Sequence, residues 1–593
     1  AGVFVRGLTG NKVNVFVDGV RYSNSAQRGG VNTFFDLVEP SSLEGIEILR
    51  GPNSAEYGSD ALGGSIQLLG RVPALSSNGP RVGGRFAIQG STGHESGGGN
   101  ASISIARRQF GFFGNVAGQG VGKLRPGDGI DSHASVTRFF GISSDLLYPE
   151  RLPNTEFSQW GTQLKANWTP GASTQIVTSY MATRQDGGER YDQLLGGDGN
   201  LVAELNDLTL DLFYVRFERL LPGWFDHASV TYSFNSQREE RVNQGGNGNP
   251  TATIGHEPER TTANGVKGSL FSEISPRQTL QVGGEVYFEG LTSDSFNVNP
   301  VTGAVSPRRP RVPSGASYVN GGLFAQTGYE AIPERLRLVG AVRWGAASYE
   351  ASAADAPIVG GEPLWPDDEL STNAFTFRVG AVATPADEWS LSTSFSRGYR
   401  APHMTDLGTL GLTGSGFEVA FADIDGLGAQ VGSTADATAV PIGPVEEMRS
   451  ESSLNWDATV RYRRRRARAE FGVFVNNIHD NIQKQSLILP AGAVGTQIGG
   501  EPITQQLPNG VVFVAASTAP VLVRDNFDNA RIWGLEMSGE IWAGDRVAVN
   551  AIYTYINARD TRTDLPPNIE GGTPAPNAYL MVRYQKPGSR WWV

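Results

Sequence analysis

The sequence predicts an all-β protein, and more narrowly a transmembrane antiparallel β-barrel that follows a small N-terminal domain. Three observations support this prediction. The 593 residues include 76 glycines and no cysteine, and charged residues make up only 18% of the chain. From about residue 80 onward, segments of roughly ten residues alternate apolar with polar side chains. The connections between these segments alternate between short and long.

Composition also excludes several classes of protein. Without cysteine, the chain can form no disulfide framework, thiolate metal site or cysteine nucleophile. A net charge of −11 argues against a nucleic-acid partner. No run of apolar residues is long enough for a membrane-spanning helix. The motifs of serine hydrolases, zinc proteases and P-loop proteins are absent from the sequence, so we expect no enzyme activity and no intrinsic cofactor or metal.

The alternation of side chains predicts the strands. It is clearest between His227 and Asn235, where one face carries Ala228, Val230, Tyr232 and Phe234. A period of two residues indicates a strand with one apolar and one polar face. Counting such segments gives about eighteen strands, with Arg590 opening another. Barrels of about 22 strands are the class with a plugged lumen, so we expect 22 strands when the barrel is complete.

The connections distinguish a barrel from a multi-domain β-sandwich. Short connections contain proline or glycine turns, as at residues 169–172 and 221–224, whereas long ones cover residues 123–157, 290–317 and 403–450. A compact soluble domain rarely holds so many long loops. A transmembrane barrel has short periplasmic turns and long extracellular loops, so we prefer the barrel.

The first eighty residues predict a separate α+β unit, which we bound at residues 1–72, with the barrel at 80–593. A β-type run from Asn14 ends in Asp18-Gly19, the dipeptide of a tight hairpin turn. A second run, Ile46 to Leu49, is stopped by Arg50-Gly51-Pro52. Three further glycines suit tight turns and close backbone contacts, namely Gly58, Gly63 and Gly64.

Four blocks in this unit resemble the plug domain of TonB-dependent outer-membrane receptors: Val5 to Leu8, Asn11 to Val20, Ile46 to Pro52 and Tyr57 to Ile66. Later in the chain, the segment Phe395 to Pro402 resembles a barrel motif of the same family. The resemblance implies a plug in the lumen of a barrel in the outer membrane of a Gram-negative bacterium, and active uptake energised by TonB. We expect the TonB-contacting segment to precede Ala1 and the last strands to follow Val593.

The resemblance also assigns residues to the plug and the barrel. The plug motif positions, structural or gating, are Arg6, Gly7, Asp18, Gly19, Arg50, Gly51, Pro52, Tyr57, Gly58, Gly63 and Gly64. The barrel motif ends with Tyr399, Arg400, Ala401 and Pro402. We expect Arg6 and Arg50 to pair with carboxylates on the inner wall, because arginine favours bidentate pairs in partly buried places.

The substrate is predicted only as a class. Haem, a ferric siderophore or cobalamin is the expected ligand, with carbohydrate or peptide uptake, or a passive porin, as alternatives. The candidate ligand contacts are His403, His133, Arg397 and Arg400, because imidazole can ligate haem iron and guanidinium can hold an anionic chelate. Arginines at the upper strand ends can equally pair with barrel carboxylates or lipopolysaccharide phosphates; besides Arg397 and Arg400 these are Arg184, Arg190, Arg238 and Arg241. Asp423 to Gly426 resembles only a fragment of a calcium loop.

Overall fold

The computed structural model describes residues 3–26, 33–125, 151–152, 154–189, 201–244, 249–408, 411–413, 416–567, 574–585 and 588. Its architecture consists of a small N-terminal domain and a large antiparallel barrel. Among the described residues, no helix is both long enough and apolar enough to cross a bilayer.

The N-terminal domain contains one four-stranded sheet in the order β2-β1-β4-β3. Its strands are β1 (Val13–Val17), β2 (Val20–Arg21), β3 (Leu43–Arg50) and β4 (Gly64–Gly70). Strands β1 and β4 run parallel, and the other two pairs are antiparallel. A short helix α1 (Ser54–Tyr57) and three 3-10 helices complete the domain, the latter at Gly10–Lys12, Thr33–Leu37 and Pro40–Ser42.

The predicted hairpin is present between β1 and β2. Val17 pairs with Val20, which leaves Asp18 and Gly19 as a two-residue turn. Both turn residues have positive φ, at 52° and 79°. A type I′ turn requires positive φ at both positions, and an Asp-Gly dipeptide satisfies that requirement at low cost.

Within the described residues, eighteen long strands form the barrel, as the alternation of side chains predicts. They are β5 (Arg81–Ser91), β6 (Ser96–Ala106), β7 (Phe110–Val121), β8 (Phe157–Gly171), β9 (Thr174–Gly187), β10 (Val202–Leu220), β11 (His227–Gln244), β12 (Ile254–Ser275), β13 (Gln278–Thr292), β14 (Ser317–Ile332), β15 (Leu336–Ala351), β16 (Asp368–Ala386), β17 (Trp389–Arg400), β18 (Glu451–Arg464), β19 (Ala467–Ile488), β20 (Val521–Ala543), β21 (Val547–Asp560) and β22 (Asn577–Tyr584). Each pairs antiparallel with the next, so the strands follow one another round the barrel in chain order.

The connections alternate strictly in length. Those at one end of the barrel, which we name the turn side, run from 2 residues (172–173) to 6 residues (221–226). Those at the other end, the loop side, reach 50 residues in the loop 401–450. In barrels of this type the turn side faces the periplasm and the loop side faces the cell exterior.

The two faces of the wall differ in chemistry. Along β18, Leu454, Trp456 and Val460 are exposed on the outer face, whereas the alternating residues Ser453 and Asn455 are buried on the inner face. An apolar outer band and a polar interior are the pattern of a barrel that spans a membrane. This part of the lumen wall is therefore polar, whereas residues of β9 and β10 share a buried apolar cluster with the N-terminal domain.

Two long loops, 401–450 and 489–520, fold together on the loop side into a unit that we name the loop cap (residues 416–448 and 489–520). It has its own buried apolar cluster, in which Phe417 and Val419 from one loop meet Leu489, Ile503 and Val512 from the other. A strand at Gly416–Val419 pairs in parallel with the start of β20. A small sheet from the second loop consists of Gln497–Ile498, Glu501–Gln506 and Val512–Val514.

The remaining elements are short and lie in loops. The helix α2 covers Met404–Leu407, and 3-10 helices cover Ala353–Asp355 and Phe421–Asp423. Short strands lie at Phe296–Val298, Val305–Pro307, Ile358–Val359, Glu362–Pro363, Gly411–Thr413, Gln430–Gly432 and Pro441–Pro444.

Candidate functional site: the plug–barrel interface

Charged side chains join the N-terminal domain to the inner wall at several levels. The lowest contact, nearest the turn side, is made by Arg6 and Arg50. Arg6 bonds Asp457 and places Nη2 3.0 Å from Oε2 of Glu536. Arg50 reaches the same Oε2 at 3.0 Å and Oε1 of Glu470 at 3.2 Å. Two cations of the domain thus share three carboxylates from β18, β19 and β20.

Two glycines make this arrangement possible. Gly51 has a φ of +82°, and a β-carbon there would lie 3.1 Å from Nη1 of Arg6. Gly64 has a φ of +157°, and a β-carbon there would lie only 2.3 Å from the carbonyl oxygen of Leu49. The motif glycines therefore let the backbone turn tightly beside the buried guanidinium group.

A second set of contacts forms a chain of ions on the loop side of the domain. Nζ of Lys12 lies 2.6 Å from both carboxylate oxygens of Glu451. Nε of Arg400 donates to Glu451 at 2.7 Å, and the same guanidinium group bonds Asp406. Arg524 continues the chain, with Nη1 2.9 Å from Oδ1 of Asp406. These ions link the domain, the wall and the longest loop; every member except Arg524 is buried, and the Arg524 side chain is 17% exposed.

Burial and neighbouring charges shift the pKa values of two members of this chain of ions, Lys12 and Asp406. Removal from water lowers the pKa of Lys12, and the positive charge of Arg400 lowers it further against the opposing effect of Glu451. Burial alone would raise the pKa of Asp406, but Arg400 and Arg524 hold it well below its usual range. Lys12 and Asp406 therefore each lie beside groups of opposite charge that favour their ionised forms.

A third contact centres on Asp60 of the domain. Its carboxylate bonds Arg21, accepts from Oγ of Ser59 at 2.7 Å, and lies 2.8 Å from Nε2 of His403. Burial alone would raise the pKa of Asp60, but His403, Arg21 and these hydrogen bonds lower it to about 2. Asp60 and His403 are each 1% exposed, so this group is closed to solvent.

The backbone of the barrel motif also bonds the domain. Tyr399 donates its N–H to Oγ of Ser54 at 3.1 Å and accepts from the N–H of Asp60, also at 3.1 Å. The N–H of Ala401 donates to Oγ of Ser59 at 3.0 Å. The end of β17 is therefore fixed to the plug segment by main-chain bonds as well as by ions.

On the opposite part of the wall, the hairpin turn provides a fourth contact. Oδ2 of Asp18 accepts from Nζ of Lys165 at 2.9 Å and from the hydroxyl of Tyr214 at 3.0 Å. Its other oxygen accepts the backbone N–H of Gly70 at 2.9 Å. Asp18 therefore braces the turn within the domain and ties it to β8 and β10.

The remaining motif residues also lie within or against the plug. Gly7 and Gly58 have positive φ, and a β-carbon on Gly63 would lie 2.8 Å from that of Leu8. Tyr57 packs its ring 5.3 Å from that of Phe16, and burial raises the pKa of Tyr57 to about 12. Pro52 packs against the wall at Gly398, while Pro402 is buried at the start of the long loop.

The candidate ligand contacts are not gathered in one place. His403 follows β17, which stays paired with β18 up to Arg400, and its imidazole Nε2 lies 2.8 Å from Oδ1 of Asp60 in the plug. Arg400 is 1% exposed and committed to the ion chain. Arg397 is half-buried on the side of β17 that carries exposed Phe395. His133 lies outside the described residues. A substrate contact from these residues stays a prediction.

Several of the upper arginines pair within the wall. Arg184 bonds Asp211 at 2.8 Å, and Arg238 lies 3.0 Å from Asp207. Arg241 contacts three carboxylates, those of Glu239, Glu257 and Glu259. Arg190 lies outside the described residues. Asp423, from the suspected calcium fragment, pairs with Arg309 at 2.7 Å.

Sequence reasoning missed three residues that the structure places at the centre of the interface. Lys12 and Asp60 fall inside the blocks that resemble a plug, and Arg21 directly follows one of them, yet none was singled out. The available signal was charge: each is a charged residue close to apolar β-type positions. Such a residue needs a partner when it is buried.

Comparison with known protein families decides the assignment. The model "TonB-dependent Receptor Plug Domain" matches residues 1–65, and "TonB dependent receptor-like, beta-barrel" matches residues 139–592. The chain belongs to the TonB-dependent receptor family. It has the family's plug and barrel fold, and the family consists of outer-membrane receptors and transporters.

Individual relatives of this TonB-dependent receptor match in different ways. Two proteins described as "Vitamin B12 transporter BtuB", from Vibrio vulnificus strains CMCP6 and YJ016, are 41% and 43% identical over 69 and 74 residues. Each match covers 12% of this chain and 11% of the relative, and it lies in the plug. The chain therefore spans only about a tenth of the length of these curated relatives.

Solved structures are similar over almost the whole chain. "Copper transporter OprC" gives a TM-score of 0.70 at 14% identity, covering 99% of this chain and 78% of that one. The FrpB iron transporter of Neisseria meningitidis gives 0.66 at 14%, covering 99% and 78%. The hemophore receptor HasR of Serratia marcescens gives 0.64 at 15%, covering 98% and 83%. At such identities the similarity establishes the fold alone.

Proposed function

We propose that this receptor actively takes up a metal complex across the outer membrane of a Gram-negative bacterium. The complex is haem, a ferric siderophore or cobalamin, and TonB supplies the energy. The observation that carries the proposal is a plug joined to the wall by buried ions and by main-chain bonds. Passage through such a lumen requires the plug to rearrange, which favours energised transport over a passive pore.

The class of ligand is supported by similarity, not by a ligand site. The plug is similar to that of two vitamin B12 transporters, and the fold neighbours include iron, haem and siderophore receptors. Carbohydrate or peptide uptake is the alternative that the fold also accommodates. His403 is 1% exposed and bonds Asp60 within the closed interface, so haem receives no special support from that residue.

The partners follow from the same proposal. TonB, with its inner-membrane energising proteins, would act on the plug to energise transport. Lipopolysaccharide and outer-membrane lipid would contact the apolar outer band of the wall.

One experiment tests transport and substrate together. Cells expressing the receptor are incubated with haem, a panel of ferric siderophores and cobalamin, in strains with and without TonB. We expect saturable binding of one ligand in both strains and accumulation inside only the TonB-positive strain. Accumulation that does not depend on TonB would contradict the proposal.

Measuring the conductance of the receptor is a second test of the proposal. The receptor in a planar bilayer should show almost no steady current, because the plug occupies the lumen. A large, steadily open channel in the wild-type protein would indicate a passive pore. The same recording on a variant whose plug has been deleted is the positive control for an open barrel.

A further inference from the structure

A groove crosses the outer face of the barrel near its turn side. The strand registers align Tyr462, Ala469, Gly539, Ala551 and Leu580 in one row across five strands, β18 to β22. Three small residues occupy the middle of this row and larger ones its ends. The row is therefore a depression in the wall, with Ala469, Gly539 and Ala551 as its floor.

Larger side chains border the floor on both sides. In the next row toward the loop side, Phe471, Met537 and Tyr553 are each about two-fifths exposed. In the next row toward the turn side, Ile541 is 61% exposed. The groove encloses about 830 Å³ and is lined almost entirely by apolar atoms. That volume is within the range of roughly 300–1,000 Å³ found for small-molecule sites.

Exposed arginines stand at the turn-side end of the groove. Arg464 lies on the outer face two residues beyond Tyr462, and Arg465 and Arg466 form the turn that follows. Arg546 lies in the adjacent turn between β20 and β21. All four are exposed, and within the described part of the chain only Arg466 has a carboxylate in reach, that of Asp545 at 2.9 Å.

Acidic residues do not cancel this charge. The flanking turn between β16 and β17 carries Asp387 and Glu388, of which Asp387 lies 3.4 Å from Arg335. Asp545 is already shared with Arg466. A surplus of guanidinium groups therefore remains at the level where the phosphates of the periplasmic leaflet lie.

We propose that this groove and its arginines form a binding site for one anionic phospholipid of the periplasmic leaflet, with an acyl chain in the groove and the headgroup phosphate on Arg464, Arg465 and Arg466. Guanidinium groups hold phosphates through charge-assisted, often bidentate hydrogen bonds. The site rests on the proposed outer-membrane location, which sets the leaflet that the turn side meets.

The two parts of the site have different tasks. An acyl chain gains little hydrophobic energy in the groove, because it leaves a hydrocarbon environment that is equally apolar. The groove therefore orients a chain by fit, and the arginines distinguish an anionic headgroup from a zwitterionic one. Each arginine near the surface changes the preference for anionic lipid by roughly five-fold.

The experiment uses tryptophan quenching in bilayers of phosphatidylcholine. Trp389 borders the groove and serves as the reporter. Brominated phosphatidylglycerol and brominated phosphatidylcholine are compared at equal mole fraction. We expect phosphatidylglycerol to quench more strongly, and the difference to shrink when Trp389 is replaced by phenylalanine. Equal quenching by the two lipids in the wild-type protein would overturn the proposal.

Three variants separate charge from shape. Arg464→Gln/Arg465→Gln/Arg466→Gln should lower the preference for phosphatidylglycerol at least ten-fold. The matched control Arg107→Gln/Arg108→Gln removes two exposed arginines from a distant turn and should keep the preference. Gly539→Leu should displace the acyl chain, since the nearest atom to a β-carbon there lies 3.7 Å away and the added side chain has room.

The remaining outcomes are also decisive. Loss of the preference for phosphatidylglycerol in the control variant would show that general basicity suffices. Retention of the preference in the triple variant would show that Arg464, Arg465 and Arg466 do not bind the headgroup. Either outcome would overturn the site. Displacement of phosphatidylglycerol by a smaller amount of lipopolysaccharide would assign the groove to that lipid instead. Heat-modifiable migration on gels confirms that each variant is folded; if the triple variant fails, Arg465→Gln alone replaces it. Binding of the transported ligand should not change, so failure here leaves the proposed function intact.

Discussion

Replacing Glu451 with glutamine is expected to loosen the plug while leaving the barrel intact. The Glu451 side chain is fully buried and accepts from Lys12 at 2.6 Å, from Arg400 at 2.7 Å and from the N–H of Ile482 at 2.7 Å. Glutamine retains the shape but removes the negative charge, so Lys12 loses its only close carboxylate among the described residues.

The size of the effect follows from the partners that remain. Breaking a buried ion pair on one side costs about 3–5 kcal/mol, because an uncompensated charge is left behind. Asp406 still compensates Arg400, which places the expected cost at the lower end, about 3 kcal/mol. That free energy corresponds to a roughly 100-fold change in the population of the detached plug.

Hydrogen exchange followed by mass spectrometry measures this directly. Backbone amides of residues 10–17 should exchange about 100-fold faster in Glu451→Gln, whereas those of the barrel strands should not change. Asp211→Asn is the matched control, because it breaks the Arg184–Asp211 pair on the wall away from the plug. Being partly exposed, that pair should contribute less than about 1 kcal/mol.

A double substitution sharpens the test. Adding Lys12→Met to Glu451→Gln removes both partners, so protection should recover part of its loss, with a coupling energy of at least 1 kcal/mol. If plug amides in Glu451→Gln exchange within three-fold of the wild-type rate, the ion chain does not hold the plug and the reasoning is wrong.

Three further predictions concern the same interface. The carboxylate of Asp60, with a pKa of about 2 in the folded protein and near 4 when unfolded, contributes stability above pH 4 that is lost as the pH falls from 4 to 2; protease protection of the plug should decline over that range, and less steeply in Asp60→Asn. Gly64→Ala should destabilise the plug by about 2 kcal/mol or more, whereas Gly45→Ala, with open space around its β-carbon, should be nearly neutral in a denaturant titration. His403→Ala tests the predicted haem contact: a roughly ten-fold loss of haem binding with unchanged plug exchange would support it, whereas faster plug exchange with unchanged haem binding would assign the residue to Asp60 alone.

The sequence predicted those features that depend on nearby residues. Apolar and polar side chains alternate along a strand because its two faces lie in different surroundings. The eighteen strands and the two kinds of connection could therefore be recognised from the sequence. The Asp18-Gly19 turn was predictable because its backbone demands few residue types. The prediction that Arg6 and Arg50 meet wall carboxylates specified a chemical class of partner, and the structure supplies Asp457, Glu536 and Glu470.

Long-range partners and the direction of loop residues could not be predicted. Lys12 and Glu451 are 439 positions apart, and nothing local to either residue identifies the other. His403 was expected to face the substrate because it follows a rising strand, but alternation ends where Tyr399 and Arg400 are both buried. At that point the plug, which is distant in sequence, determines which way the chain turns.

The loop cap has a consequence for how this protein is recognised from outside the cell. Because Phe417 and Val419 share a buried cluster with Ile503 and Val512, the surface above that cluster combines two segments about 85 positions apart. An antibody raised against the folded receptor should bind a discontinuous epitope formed by both segments. A synthetic peptide copied from either loop alone lacks the shared core, so it should neither compete with that antibody nor serve as an effective immunogen.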